Sequence, residues 1–136
     1  MIVDTSALVA VLRREDQFDT LETALLSQPA LIPAPVLVEF RRVSALAGNA
    51  PHPAAGAMLE ELLSAQVTVE PFNARDADLA FAANEHFGTG NRRGGALNIV
   101  DLMVYAVAKR TSRPILCTGR DFASTDADIH PASRTW

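Results

Sequence analysis

Four short apolar segments, Met1–Asp4, Ala30–Ile32, Val67–Glu70 and Pro114–Cys117, are separated by long stretches with helical patterning. Strands joined by a tight turn run antiparallel, whereas parallel neighbours need a crossover of about a dozen residues or more. The spacing therefore predicts an α/β sandwich around a mostly parallel sheet. Helices are expected over about Ser6–Arg13 (apolar Leu8, Val9, Val11, Leu12) and Asp16–Ser27 (Phe18, Leu21, Leu25, Leu26), the second ended by Gln28-Pro29. A third runs from Pro35 to about Ala47, with Gly48-Asn49 as its cap, and a fourth over His52–Ala65. Asn73 opens a helix through Phe87, Gly88–Gly95 (GTGNRRGG) reads as a flexible loop, and Asn98–Arg110 is the last long helix. Thr118-Gly119 then turns into a short helical piece. In such sheets functional groups collect beyond the carboxyl ends of the strands, where Asp4 and Asp121 fall.

At 136 residues the chain fits a single domain, 1–136, large enough to bury a core without disulfides. Cys117 is the only cysteine, which excludes an internal disulfide and a multi-cysteine zinc site and suits a reducing cytoplasm. The first twelve residues are apolar but lack a basic n-region and carry Asp4, so a signal peptide is not expected. No apolar run approaches the roughly 20 residues of a membrane helix, so no membrane association is expected. A net charge of −4 argues mildly against nucleic acid, unless the acids are gathered at one metal site.

Several charges do stand where a charge is costly. Asp4 is the only charged residue in the first twelve, and Glu39 the only one in Leu31–Phe40 (LIPAPVLVEF). Asp101 is the only one in Ile99–Ala108 (IVDLMVYAVA), a helix apolar on every side and therefore expected to be buried. A buried carboxylate must be paired, hydrogen-bonded, metal-bound or protonated. Asp121 lies in more polar surroundings beside Arg120. Each acid also has a structural explanation. Asp4 can cap the helix after it, and Asp101 completes a capping box with Asn98. Glu39 can pair with Arg42 one helical turn on, and Asp121 can open a turn. If the four converge, two carboxylates ~5 Å apart repel by roughly 3 kcal/mol at an effective dielectric of ~20. Such a group takes up protons or a cation, and an all-oxygen site selects a hard ion, Mg2+ or Mn2+.

Taken together, MIVDTSALVAVL, Glu39 in VLVEF, ALNIVDLMVYAVAK and TGRDFASTD resemble the PIN-domain ribonuclease toxins of VapC type, over essentially the whole chain. The resemblance implies a three-layer α/β/α PIN-like fold with four to five strands. It also implies Mg2+- or Mn2+-dependent hydrolysis of RNA by activated water. The family's acidic quartet maps onto Asp4, Glu39, Asp101 and Asp121, with Asp126 a possible further or alternative ligand. Thr5, Ser6 and Thr118 match supporting polar positions around the acids. Leu102 and Arg120 depart from the residues usual in relatives, which leaves substrate preference open. A homodimer and a cognate VapB-type antitoxin, presenting an arginine to the acids, are implied as partners.

Phosphate contacts require cations, and Arg13, Arg14, Arg41, Arg42, Arg92 and Arg93 are the candidates. Arg92 and Arg93 stand just before the Asn98 helix, as RNA contacts or as part of a solvated loop. GTGNRRGG fails as a dinucleotide site, since Arg93 replaces the third glycine and no strand immediately precedes it. His52, His86 and His130 show no metal-ligand spacing, Tyr105 reads as core, and Cys117 as a buried strand residue. The competing classes are a magnesium-dependent phosphoacceptor or phosphatase-like domain and an inactive PIN-like partner-binding module. The first wants paired acids near the start or Asp-x-Asp, where this chain has Asp4-Thr5-Ser6; the second has no need of four acids.

Overall fold

Ile2–Val3 (β1), Ala30–Pro33 (β2), Val67–Glu70 (β3) and Ile115–Leu116 (β4) form one parallel sheet in the order β3-β2-β1-β4. These strands belong to a computed structural model that describes residues 1–135. Six α-helices surround them: Thr5–Arg13 (α1), Phe18–Ser27 (α2), Ala34–Ser44 (α3), Pro53–Ser64 (α4), Ala74–Phe87 (α5) and Ile99–Thr111 (α6). The architecture is the expected α/β fold with a parallel central sheet.

Successive strand residues point to opposite faces, and Ile2, Val3, Ile115 and Leu116 are all fully buried. Both faces of the sheet are therefore covered at β1 and β4, as parallel sheets require. β3 forms an edge, with Thr68 and Val69 exposed. The chain steps outward from β1 to β2 to β3 and then returns to place β4 on the other side of β1. That reversal opens a crevice between the carboxyl ends of β1 and β4. Beyond β4 the chain leaves the sheet and comes back alongside it, pairing Ile129 with Ile115 and Arg134 with Thr118. Among the described residues, no helix is long and apolar enough to cross a membrane.

Local chemistry moves several boundaries from their expected places. α3 ends at Ser44 rather than Ala47, because the Ser44 hydroxyl donates back to the Phe40 carbonyl (2.6 Å) and Ala45 turns extended. Gly48-Asn49 then belongs to a separate 3-10 turn, Ala47–Asn49, and caps nothing in α3. α2 begins at Phe18, since Gln17 is left-handed (φ 67°). His52 stands outside α4 as its N-cap, its Nδ1 accepting from the Ala54 amide. Cys117 lies just past β4, fully buried.

The Gly88–Gly95 segment is also more constrained than expected. The Asn91 amide nitrogen donates to the carbonyls of Glu85 and His86, and its oxygen accepts from the amides of Arg93 and Gly95. Backbone bonds from Thr89 to Leu97 and from Leu97 to Phe87 close the segment (2.9 Å each). A Cβ at Gly95 would collide with the backbone of Phe87 and Gly88, so this close approach demands glycine there.

One buried ion network stands outside the sequence expectations. Asp76 is completely buried, accepting from Arg110 Nε (2.5 Å) and, through its other oxygen, from the Asn73 amide (2.9 Å). Arg110 also reaches Glu70 (2.8 Å) and the Pro71 carbonyl, so β3, α5 and α6 share a single guanidinium. Removing one member of a buried pair strands the other. Asp76→Ala should lower unfolding stability by about 3 kcal/mol in urea denaturation; a loss near zero would show that the network carries no net stability.

Candidate active site

The crevice beyond β1 and β4 gathers acids from four separate elements. Asp4 directly follows β1 and caps α1: its Oδ2 accepts from the Ser6 amide (2.9 Å) and the Ser6 hydroxyl (2.5 Å). Its Oδ1 is buried and meets no hydrogen-bond donor among the described residues. Leaving a buried charged oxygen unsatisfied is costly, which makes Oδ1 the sharpest anomaly in the molecule.

Asp101, in the first turn of α6, is similarly divided. Its Oδ2 accepts from the Asn98 amide (2.7 Å), and the Asn98 side chain accepts from the amides of Val100 and Asp101, completing a capping box. The structural roles foreseen for these two acids are thus real, and each uses only one carboxylate oxygen. Glu39 does not take its own, and Asp121 opens its turn without using its carboxylate. Glu39 accepts from the Thr5 hydroxyl (2.5 Å) rather than pairing with Arg42. Asp121 precedes the short 3-10 turn Phe122–Ser124 without a side-chain cap bond and is exposed, beside the buried ring of Phe122.

All four acids line one open cavity of about 300 Å³, together with Thr5, Ser6 and Thr118. The supporting residues knit it together. Ser6 Oγ, while donating to Asp4, accepts from the Thr118 amide (2.9 Å), which joins the exits of β1 and β4. Burial pushes the Asp4 carboxyl above its ordinary value, opposed by the Ser6 hydrogen bonds and reinforced by Glu39. Burial likewise pushes Asp101 up to about 7, opposed by the Asn98 amide and reinforced by the charges of Asp4, Asp121 and Glu39. The Cys117 thiol, buried near the same acids, is held up at about 12 and is thus unsuited to act as a nucleophile.

Asp126 is not part of this group. It lies against α6 further along, accepting from the Tyr105 hydroxyl (2.5 Å) and from Lys109 Nζ (3.1 Å), and lines a different depression. The turn Phe122–Ser124 and Thr125 carry it away from Asp121, so of the two only Asp121 lines the cavity with the other acids. The arginines are also redistributed. Arg93 faces Glu85 (3.8 Å), Arg41 lines a groove between α3 and α4, and Arg42 and Arg92 are exposed away from the cavity lining. Arg13, at the end of α1, is the cation that lines the acidic cavity.

The donor chemistry suits a hard divalent ion. The acids supply only oxygen, and the unpartnered Asp4 Oδ1 could accept a cation. Among the described residues, no three His, Cys, Asp or Glu side chains close into a cage of their own. An open arrangement of this kind suits Mg2+, which keeps several waters and binds few carboxylates at once.

Residues 1–128 match the PIN domain model. The chain belongs to the PIN-domain family. Ribonuclease VapC28 of Mycobacterium tuberculosis is 35% identical over 133 residues, spanning 92% of this chain and 93% of that protein. Ribonuclease VapC42 of the same organism is 35% identical over 134 residues, spanning 97% and 98%. These identities place the chain among the VapC proteins of the PIN family, whose ribonucleases are generally dependent on a divalent metal. Among solved structures, the sarcin-ricin loop cleaving toxin VapC20 of Mycobacterium tuberculosis shares the fold, with a TM-score of 0.72 at 24% identity over 96% of this chain and 98% of that one. A toxin–antitoxin complex from Klebsiella pneumoniae gives 0.69 at 15% identity, covering 96% of each chain.

The raised Asp101 carboxyl sets a pH dependence for this PIN domain without metal. Between the ordinary value of 3.8 and about 7, the Asp101 carboxyl is more protonated in the native protein than in the unfolded chain. Stability therefore falls as pH rises through that window and levels off above it. In chelator, the thermal midpoint should be lower near about pH 8 than near about pH 5, and added Mg2+ should recover more of it at the higher pH. A midpoint that climbs over that range would contradict the burial of this charge.

Proposed function

We propose that this chain is a Mg2+- or Mn2+-dependent endoribonuclease and the toxin of a VapBC pair, acting in the cytoplasm with Asp4, Glu39, Asp101 and Asp121 as its acidic site. The observation that carries this reading is the buried, unpartnered Oδ1 of Asp4 in a cavity lined by three further carboxylates. The ion, when bound, supplies positive charge at the scissile phosphodiester and makes water there more acidic.

The chain's own residues divide the remaining work. Asp4 and Asp101, each anchored through one oxygen, present the other as fixed ligands. Thr5 steadies Glu39, and Ser6 with the Thr118 amide steadies Asp4. Asp121, exposed and with no hydrogen bond to its carboxylate among the described residues, is the acid placed to orient water and accept its proton. Arg13 meets the phosphate beside the cleaved bond. Arg41, Arg42, Arg92 and Arg93 would contact RNA only outside the cavity. The family relatives named as ribonucleases support this assignment of activity.

Two exposed apolar faces support the proposed partners. Val43 at the cavity edge is an exposed apolar residue, a place where an antitoxin helix would seat while directing a cation at the acids. The toxin–antitoxin complexes among the structural neighbours support that partner. Phe81 and Ile99 stand exposed beside a second apolar groove between α5 and α6, a suitable face for homodimerisation.

Purified protein should cleave RNA with Mg2+ or Mn2+ and lose that activity in chelator. Asp4→Asn should reduce cleavage by more than about a hundredfold. The amide still accepts from Ser6 and removes an unpaired charge, so the metal-free variant should melt no lower than the parent. Cleavage that persists in excess chelator would sink the metal assignment. Arg13→Gln should raise KM for RNA and lower the salt dependence of binding by about one phosphate contact, leaving Mn2+ affinity unchanged. An unaltered salt slope would remove Arg13 from the RNA interface.

A further inference from the structure

Asp101, Tyr105 and Lys109 follow one another at intervals of four along α6 and so share one face of that helix. The first lines the acidic cavity, and the other two hold Asp126. Asp126 ends the loop that leaves β4 at Thr118 and carries Asp121. Near its start this loop is pinned by the bond from the Thr118 amide to Ser6, and at its middle by the buried Phe122 ring. Past Asp126 it rejoins the sheet, with the Ile115 amide donating to the Asp128 carbonyl (2.8 Å).

We infer that Tyr105, Asp126 and Lys109 form a latch that positions Asp121, making Asp126 a positioning residue for the acidic site rather than one of its ligands. This rests on the metal-binding reading above. The Tyr105 hydroxyl is the principal contact: it is a neutral donor on a carboxylate, its ring is almost wholly buried, and it packs against Phe87 at 5.5 Å between centroids. Lys109 adds an exposed ion pair and a bond to the Asp126 carbonyl, and its ammonium lies 5.9 Å from the Tyr105 ring centre. Exposed ion pairs contribute little stability. A latch made this way has little to offer global folding. What it constrains is the path of the Asp121 loop relative to Asp101, because both ends of that relation are mounted on α6.

The test is a double-mutant cycle read by Mn2+ titration, which does not depend on catalysis. Asp126→Asn and Tyr105→Phe should each weaken Mn2+ binding roughly threefold or more, with little change in the urea midpoint. In an Asp121→Asn background the Asp126→Asn change should weaken binding no further. In the metal-free protein, Asp126→Asn should speed hydrogen exchange at the Ala123 and Thr125 amides, whose bonds to Arg120 and Phe122 close the turn after Asp121. Additive weakening in the Asp121→Asn background would show Asp126 acting on the ion independently and overturn the latch. Unchanged exchange together with unchanged Mn2+ affinity would overturn it as well. Failure of the wild type to take up Mn2+ would instead overturn the metal reading, and the link to the site with it, while the exchange result still decides whether the loop is latched.

Discussion

The Ser6 hydroxyl joins two strand exits, donating to the Asp4 carboxylate after β1 and accepting, across 112 residues of sequence, from the Thr118 amide after β4. The crevice at the reversal of strand order depends on this bridge. It supplements a sheet pairing that at β1 and β4 is just two residues long, alongside the bridge from Thr118 to Arg134 and the buried Phe122 ring that also hold the start of the Asp121 loop. Ser6 satisfies one oxygen of the buried Asp4 twice, which opposes the cost of burying its charge. The other oxygen is left for an external cation. The same economy recurs at Asp101, where a capping box consumes one oxygen and orients the other. In both cases a helix terminus supplies rigidity, and a rigid carboxylate is a better ligand than a freely rotating one.

This division of labour explains why the structural and functional accounts of the acids do not compete. Helix capping alone would favour an exposed aspartate, solvated on its free side. Here burial raises the Asp4 and Asp101 carboxyls, and mutual repulsion raises them further. The native fold of the metal-free protein therefore carries an electrostatic strain concentrated at one crevice, which protonation or a divalent cation relieves. The buried Asp76–Arg110–Glu70 network shows the contrasting solution: a comparable buried aspartate is neutralised internally and stays outside the site.

Much of this was legible in the residues. The spacing of short apolar segments indicated a parallel sheet, and acids isolated in apolar surroundings indicated Asp4, Glu39 and Asp101 for a simple reason: burial of a charge is expensive wherever it occurs. Asp121 and Asp126 could not be separated in the same way, since both sit in a polar segment where exposure costs nothing. Asp76 carries no such signal, because its neighbourhood is charged like a solvated helix, although Asn73-x-x-Asp76 is the same capping pattern as Asn98-x-x-Asp101. Arg92 and Arg93 stand in glycine-rich sequence that reads as a flexible loop, yet Asn91 closes that loop by bonds no linear pattern announces.

By itself, then, the sequence determined the class of fold, the oxygen-only chemistry of the acids and the family to which they point, because hydrophobic periodicity and the cost of burying charge are local properties. Tertiary structure decided which acids share a cavity, that Arg13 rather than the loop arginines lines it, and that Asp126 clasps Tyr105 and Lys109. Those outcomes depend on where the chain turns back after β4 and on which helix face it meets. Contacts between residues twenty or a hundred positions apart are fixed by packing, and no local pattern encodes them.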